Sequence, residues 1–177
     1  MMKDDAYQTI LACRSIRRFT NAPLPDDALT RVLQAGRWAG SAKNTQPWHF
    51  VVVRGREILH QLAACGYYAS HLRGAAAAVV LVTPPGRWAD FDAGRAAQNM
   101  MLAAWAMGIG SCVAALHEEA QARQVLSVPE EYQARIAISF GYPLQDAPQV
   151  IEGRPREEVL ASIGRHPLDE LVHWETW

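Results

Sequence analysis

Cysteine is scarce in this chain: Cys13, Cys65 and Cys112 are the only three among 177 residues, and no two are spaced as Cys-x-x-Cys. An odd, scattered set argues against a disulfide framework or a structural zinc site and suits a reducing compartment. Long hydrophobic runs are missing too. The longest, residues 75–82, is too short to cross a bilayer as a helix and reads as a buried strand. Met1-Met2-Lys3-Asp4-Asp5 has no apolar stretch of signal-peptide type, so the expectation is a soluble cytoplasmic protein that binds no membrane. Neither sign of charge is in excess. Seventeen Lys and Arg against eighteen Asp and Glu leave a net charge of −1, which gives no bulk attraction to nucleic acid. Any recognition of an anion must therefore be local.

Several catalytic signatures are absent as well. The six histidines, His49, His60, His71, His117, His166 and His173, show no spacing such as His-Glu-x-x-His, and no metal site is expected. There is no Gly-x-Ser-x-Gly nucleophile elbow and no P-loop. Gly108-Ile109-Gly110 lacks the third glycine of a dinucleotide turn and follows a helical pattern, not a strand. Each lone histidine reads as a structural or surface group, and Cys112, inside an apolar strand, as a small core residue.

Half of the residues are hydrophobic and a fifth are charged, as in an ordinary globular chain, and the length suits one domain spanning residues 1–177. Asp4 or Asp5 is expected to cap a first helix with Tyr7, Ile10, Leu11 and Cys13 on one face. Asp26 is expected to cap a second, with Leu29, Val32, Leu33 and Gly36 at helical spacing. Strands are expected at 48–54, 75–83, 111–115 and 135–141, and shorter helices at 57–64, 118–126 and 156–163. Residues 87–91 read as an exposed loop, and Asp92 opens the longest helix, to about residue 107 and apolar on several sides. Too few βαβ units are present for a parallel sheet, so the class is α+β, a mixed αβα sandwich. Two of the six tryptophans, Trp174 and Trp177, lie in the last four residues; such a tail is expected to dock on this chain or on a partner subunit.

The chemistry-bearing stretch is Arg14-Ser15-Ile16-Arg17-Arg18-Phe19. Guanidinium groups fork two donors at once and suit phosphate or another planar anion. If the segment closes a helix, Arg14 and Arg17 share a face; the alternative is a solvated basic edge at a helix C-terminus. With the polar Ser41-Ala42-Lys43-Asn44-Thr45-Gln46 loop and Arg165, these donors lack an obvious nucleophile or general base. That pattern suits a protein that holds a cofactor and leaves the reaction to it.

Taken in order, the 14–19 stretch, Ser41-Ala42-Lys43-Asn44-Thr45-Gln46-Pro47-Trp48-His49-Phe50, the 92–99 segment with its long apolar helix, Gly108-Ile109-Gly110-Ser111-Cys112, Phe140-Gly141-Tyr142-Pro143 and the 164–172 segment resemble the FMN-dependent nitroreductase family. The resemblance covers nearly the whole chain. It implies a three-layer αβα sandwich with a mixed, mainly antiparallel sheet and a long central helix. It also implies a homodimer with FMN at the subunit interface, the 164–177 tail docking on the partner. Arg14, Ser15 and Arg17 match the motif that holds the phosphate, the ribityl chain and the pyrimidine edge. Ser41 and Asn44, with Gln46 beside them, match a loop contributed by the partner subunit. Gly110 and Ser111 match the turn near the isoalloxazine, and Arg165 the late phosphate-binding arginine. Cys13 and Ile163 stand where many members carry basic residues, which shifts the phosphate clamp toward Arg14 and Arg165. The activity implied is NADH- or NADPH-dependent, ping-pong reduction of a nitroaromatic or quinone acceptor, with no catalytic side chain. Family members that dehalogenate, cleave flavin or dehydrogenate, and a flavin-binding protein without turnover, are the alternatives.

Overall fold

The computed structural model describes residues 3–144 and 163–177. Its centre is a run of strands whose composition dictates their place. β1 (His49–Val53), β2 (Ala77–Thr83), β3 (Gly110–Ala115) and β4 (Gln133–Gly141) form one sheet in the order β1-β2-β4-β3, and the three ladders are antiparallel. β2, Ala-Ala-Val-Val-Leu-Val-Thr, is buried at every position. A strand covered on both faces needs no polar alternation, which is why it reads as a continuous apolar run.

Successive side chains of a strand point to opposite faces. Val79 and Leu81 of β2, with Ile138 and Phe140 of β4, pack against α2 (Asp26–Arg37) and α4 (Arg87–Ala106) through Leu29, Val32, Ala96 and Met100. Ala78, Val80 and Val82 face the other way, toward α3 (Arg56–Ala64) and α5 (Glu119–Leu126) and their Leu59, Leu62 and Ala122. The result is the expected αβα sandwich.

Three local expectations need correction. Residues 87–91 are not a loop: α4 begins at Arg87, straight after Gly86, whose φ of 144° turns the chain out of Pro84-Pro85. Ala89 and Ala93 are buried, so the apolar stripe runs on toward the start; the exposed Trp88 and Phe91 disguised it. Asp26 caps nothing. Pro25 holds the cap position of α2 without a side-chain bond, and the Asp26 carboxylate pairs with Arg54 at 2.6 Å, just past β1. The first helix, α1 (Lys3–Ala12), leaves Tyr7 and Ile10 exposed rather than covering them. A four-residue helix, α6 (Leu168–Leu171), precedes the exposed Trp174 and Trp177. The helix expected at 156–163 lies, apart from Ile163, outside the described residues. Among the described residues no helix is long and apolar enough to cross a membrane.

Candidate functional site

α1 ends at Ala12, and residues 14–19 run on as an extended ribbon beside the sheet. Ser15 forms a parallel bridge with Ser111 and Phe19 an antiparallel bridge with Pro143. Ile16 N donates to Ser111 O at 2.8 Å and Thr20 N to Tyr142 O at 2.8 Å. Two glycines make room for the ribbon. A Cβ on Gly110 would stand 2.7 Å from Cβ of Ile16, and one on Gly141 would stand 2.9 Å from the Phe19 ring. Ile16 and Phe19 thus lie flat on the sheet and form a small core with Ala75 and Trp105. The polar residues between them are left to project.

An extended ribbon does not give Arg14 and Arg17 a common helical face, and that expectation is overturned. Arg14 Nη1 turns back to Leu11 O at 2.6 Å and Cys13 O at 2.8 Å, neutralising carbonyls at the end of α1. Ser15 and Arg17, two apart, instead share a neighbour in Cys112. Burial pushes the Cys112 thiol up, while the Arg17 charge and a hydrogen bond with Ser15 pull it down. Cys112 is a core residue, 2% exposed, and also the floor under these two side chains. Arg17 itself is exposed and has no ion-pair partner among the described residues.

Beneath Cys112 lies a buried polar pair that carried no signal in the sequence. His71 Nδ1 is 2.8 Å from Ser139 Oγ, which donates to Cys112 O at 3.2 Å. Burial, helped by the nearby Arg17 charge, lowers the His71 pKa from 6.5 to about 4, with the main chain of Val113 acting in the opposite sense. Folded protein keeps this ring neutral down to about pH 4, whereas the unfolded chain takes up its proton near 6.5. Stability is therefore unaffected above pH 6.5 and falls as the pH drops toward 4, by up to about 3 kcal/mol. Urea unfolding of wild type and His71→Asn at neutral and acid pH checks this: the variant is expected to show a flatter acid limb.

The second group of residues sits on the 41–46 loop. Asn44 N donates to Ser41 O at 3.0 Å, Thr45 N to Ala42 O at 3.1 Å and Gln46 N to Ser41 Oγ at 2.9 Å. The main-chain donors of Asn44, Thr45 and Gln46 are thus spent inside the loop, Gln46 Nε2 reaches Asn44 O at 3.5 Å, and the exposed side chains of Lys43 and Asn44 remain for a ligand. Ala42 N reaches outward to Asp92 Oδ2 at 2.9 Å, fixing the loop to α4. Gln46 also borders an open groove of about 430 Å³ with Trp48, Phe50 and Arg37.

The structure therefore sorts the expected site residues into two groups. Arg14, Ser15, Arg17, Gly110 and Ser111 gather where β3 begins, just past the C-terminal end of α4. Ser41, Asn44 and Gln46 are tied to Asp92, which lies fourteen residues before Ala106, about 20 Å along the helix axis. Arg165 is exposed, follows Gly164 at φ 65°, and makes no hydrogen bond or ion pair among the described residues.

Comparison with known proteins gives a consistent picture. The sequence profile of the nitroreductase family matches residues 10–77 and 63–142. An Archaeoglobus fulgidus protein named for NADH dehydrogenase/NAD(P)H nitroreductase activity is 32% identical over 151 residues, 79% of this chain and 86% of its own. The NADPH-flavin oxidoreductase of Vibrio harveyi is 31% identical over 187 residues, 95% of this chain and 76% of its own. Among solved structures, NADPH:FMN oxidoreductase of Vibrio harveyi, complexed with NAD+, superposes with a TM-score of 0.82 at 27% identity, over 98% of this chain and 78% of that one. A Desulfovibrio desulfuricans structure in complex with FMN superposes at 0.76 with 31% identity, over 97% of both chains.

Proposed function

This chain belongs to the nitroreductase family, and on that premise we propose that it is an FMN-dependent NAD(P)H oxidoreductase reducing an electron-poor acceptor of nitroaromatic or quinone type. The observation that carries the reading is the bridge between Ser15 and Ser111, which lays the arginine ribbon along Gly110 and Ser111. The donor set fits FMN. An exposed guanidinium, a hydroxyl and a second arginine answer a phosphate dianion at one end and the electron-rich pyrimidine edge at the other. FMN held there would supply the redox chemistry, a ping-pong transfer of reducing equivalents from NADH or NADPH to the acceptor. Arg17 offers positive charge to the pyrimidine edge, which favours the reduced form. Arg165, and Arg14 through the guanidinium nitrogens not spent on Leu11 O and Cys13 O, would hold phosphate, and Ser15, Gly110 and Ser111 would line the ring and ribityl chain. No side chain is assigned as acid or base.

Ser41, Asn44 and Gln46 serve the FMN of a second copy, because α4 holds them far from the arginine ribbon of their own chain. The site is thus assigned to a homodimer interface. Exposed Tyr7, Ile10, Trp174 and Trp177 support this, since apolar side chains of that size favour cover. Residues 1–177 are read as one FMN-binding domain whose 164–177 tail docks on the partner, working in the cytoplasm, where the free thiols of Cys13, Cys65 and Cys112 persist.

The absorbance spectrum of the purified protein, followed by anaerobic NADH and then NADPH, tests the reading. Flavin bands that bleach are expected. Bands that persist would favour flavin binding without turnover, and a colourless protein that FMN cannot reconstitute would end the proposal. Arg17→Ala is expected to weaken FMN binding at least tenfold or so, or to lower the flavin potential, because it removes a charge-assisted contact. Unchanged occupancy with unchanged reduction by nicotinamide would remove Arg17 from this role.

A further inference from the structure

The loop carrying Ser41 and Asn44 is held by a buried side chain of α4. Asp92 has a side chain only 3% exposed; one oxygen accepts Ala42 N at 2.9 Å, and the other faces Arg95 Nη1 at 3.5 Å. Asp92 and Arg95, three apart, share one face of α4. The Arg95 guanidinium fills the space where a side chain on residue 40 would go: a Cβ on Gly40 would stand 2.6 Å from its Nη2. One face of α4 thus grips the loop at Gly40 and at Ala42.

The loop needs such a grip. Lys43, Asn44 and Gln46 have φ of 51°, 57° and 47°, a left-handed conformation that residues with a Cβ adopt only when their surroundings impose it. A charged group is also a poor choice for a buried helix position if packing were its only task, since an apolar residue of similar volume serves stability as well or better. Its presence at Asp92 is explained by what it holds.

We propose that Asp92 is a positioning residue for flavin binding: by accepting Ala42 N, with Arg95 balancing its charge, it fixes the strained loop that presents Ser41 and Asn44 to the FMN of the second subunit. The proposal rests on the divided site described above. Asp92 is buried, and its role is exerted through the main chain of Ala42.

The test is FMN titration of dimeric wild type, Asp92→Ala, Asp92→Asn and Ala42→Pro, with light scattering and thermal unfolding of each apoprotein alongside. Ala42→Pro removes the donated N–H and leaves the Asp92 side chain unchanged. Ala42 is exposed, and Ser41, at φ −137° and ψ 157°, already has the extended backbone that a following proline requires. Asp92→Ala and Ala42→Pro are expected to weaken FMN binding roughly tenfold or more while the dimer persists. Asp92→Asn, which keeps an acceptor oxygen, is expected to stay within about threefold of wild type. A purely structural role would lower the melting temperature of Asp92→Ala and leave FMN affinity alone; that result, or wild-type affinity in Ala42→Pro, overturns the proposal. Should Asp92→Ala fail to fold, Ala42→Pro decides alone. A wild-type dimer that takes up no FMN overturns the proposed function and this inference with it, whereas a wild type that binds beside variants that bind equally well overturns this inference only.

Discussion

Mixing subunits that carry Arg17→Ala with subunits that carry Asn44→Ala is expected to restore the tight flavin binding that each variant lacks on its own. In a divided site, each FMN meets Arg17 of one copy and Asn44 of the other. A mixed dimer then concentrates both lesions in one site and leaves its second site intact. Random pairing makes half of the dimers mixed, so about one site in four recovers. Flavin absorbance per subunit after co-expression, compared with each variant alone, reads the result directly. A site built within one chain could not recover, because every chain in the mixture carries a lesion. No recovery would therefore mean that the 41–46 loop and the arginine ribbon serve the same chain, against the distance that α4 puts between them.

Gly110→Val should be the most damaging single change near the site. The added Cβ would lie 2.7 Å from Cβ of Ile16 and within 2.9 Å of both its branches. Ile16 is 0% exposed and β-branched, so it has neither space nor an alternative rotamer to move into. Relief comes only by lifting the ribbon, which breaks the bond from Ile16 N to Ser111 O and carries Ser15 and Arg17 away from Cys112. Overpacking of this kind costs about 1–3 kcal/mol, and a chain of this size loses roughly 2–4 °C of melting temperature per kcal/mol. A fall of roughly 2–12 °C, together with lost flavin, is expected. Gly74→Ala is the control: nothing lies within 4 Å of its Cβ, and it should leave both properties near wild type. Wild-type melting and flavin content in Gly110→Val would show that the ribbon and β3 are not locked together.

What could be read in advance followed from locality. β2 announced itself because seven consecutive buried positions leave no room for polar residues. α2 was legible from Leu29, Val32 and Gly36, all on one helical face. The errors lie where a distant partner decides. The 14–19 segment looked like the end of a helix, yet Gly110 and Gly141, far along the chain, draw it out into a ribbon. Asp26 has the chemistry of a cap but finds Arg54 instead. Asp92 has the chemistry of a residue that opens the long helix, yet it lies inside that helix, buried, and accepts a hydrogen bond from Ala42 N, fifty residues earlier in the chain. For the proposed site residues, the division into two distant groups emerges only once α4 separates them. His71 and Ser139 had no sequence signature, since a buried histidine resembles any other until its neighbours are known.

The length of α4 also has a consequence for the protein in dilute solution. Where no single copy completes the ligand's surroundings, cofactor retention follows mass action in the chain as well as in FMN. Dilution below the concentration at which subunits separate should strip colour from the protein even with free FMN held constant, and the rate of that loss would report subunit parting. In a cell making little of a chain whose sites are divided in this way, catalytic capacity would fall faster than the amount of polypeptide, because each lost copy would also remove part of the surroundings of its neighbour's cofactor.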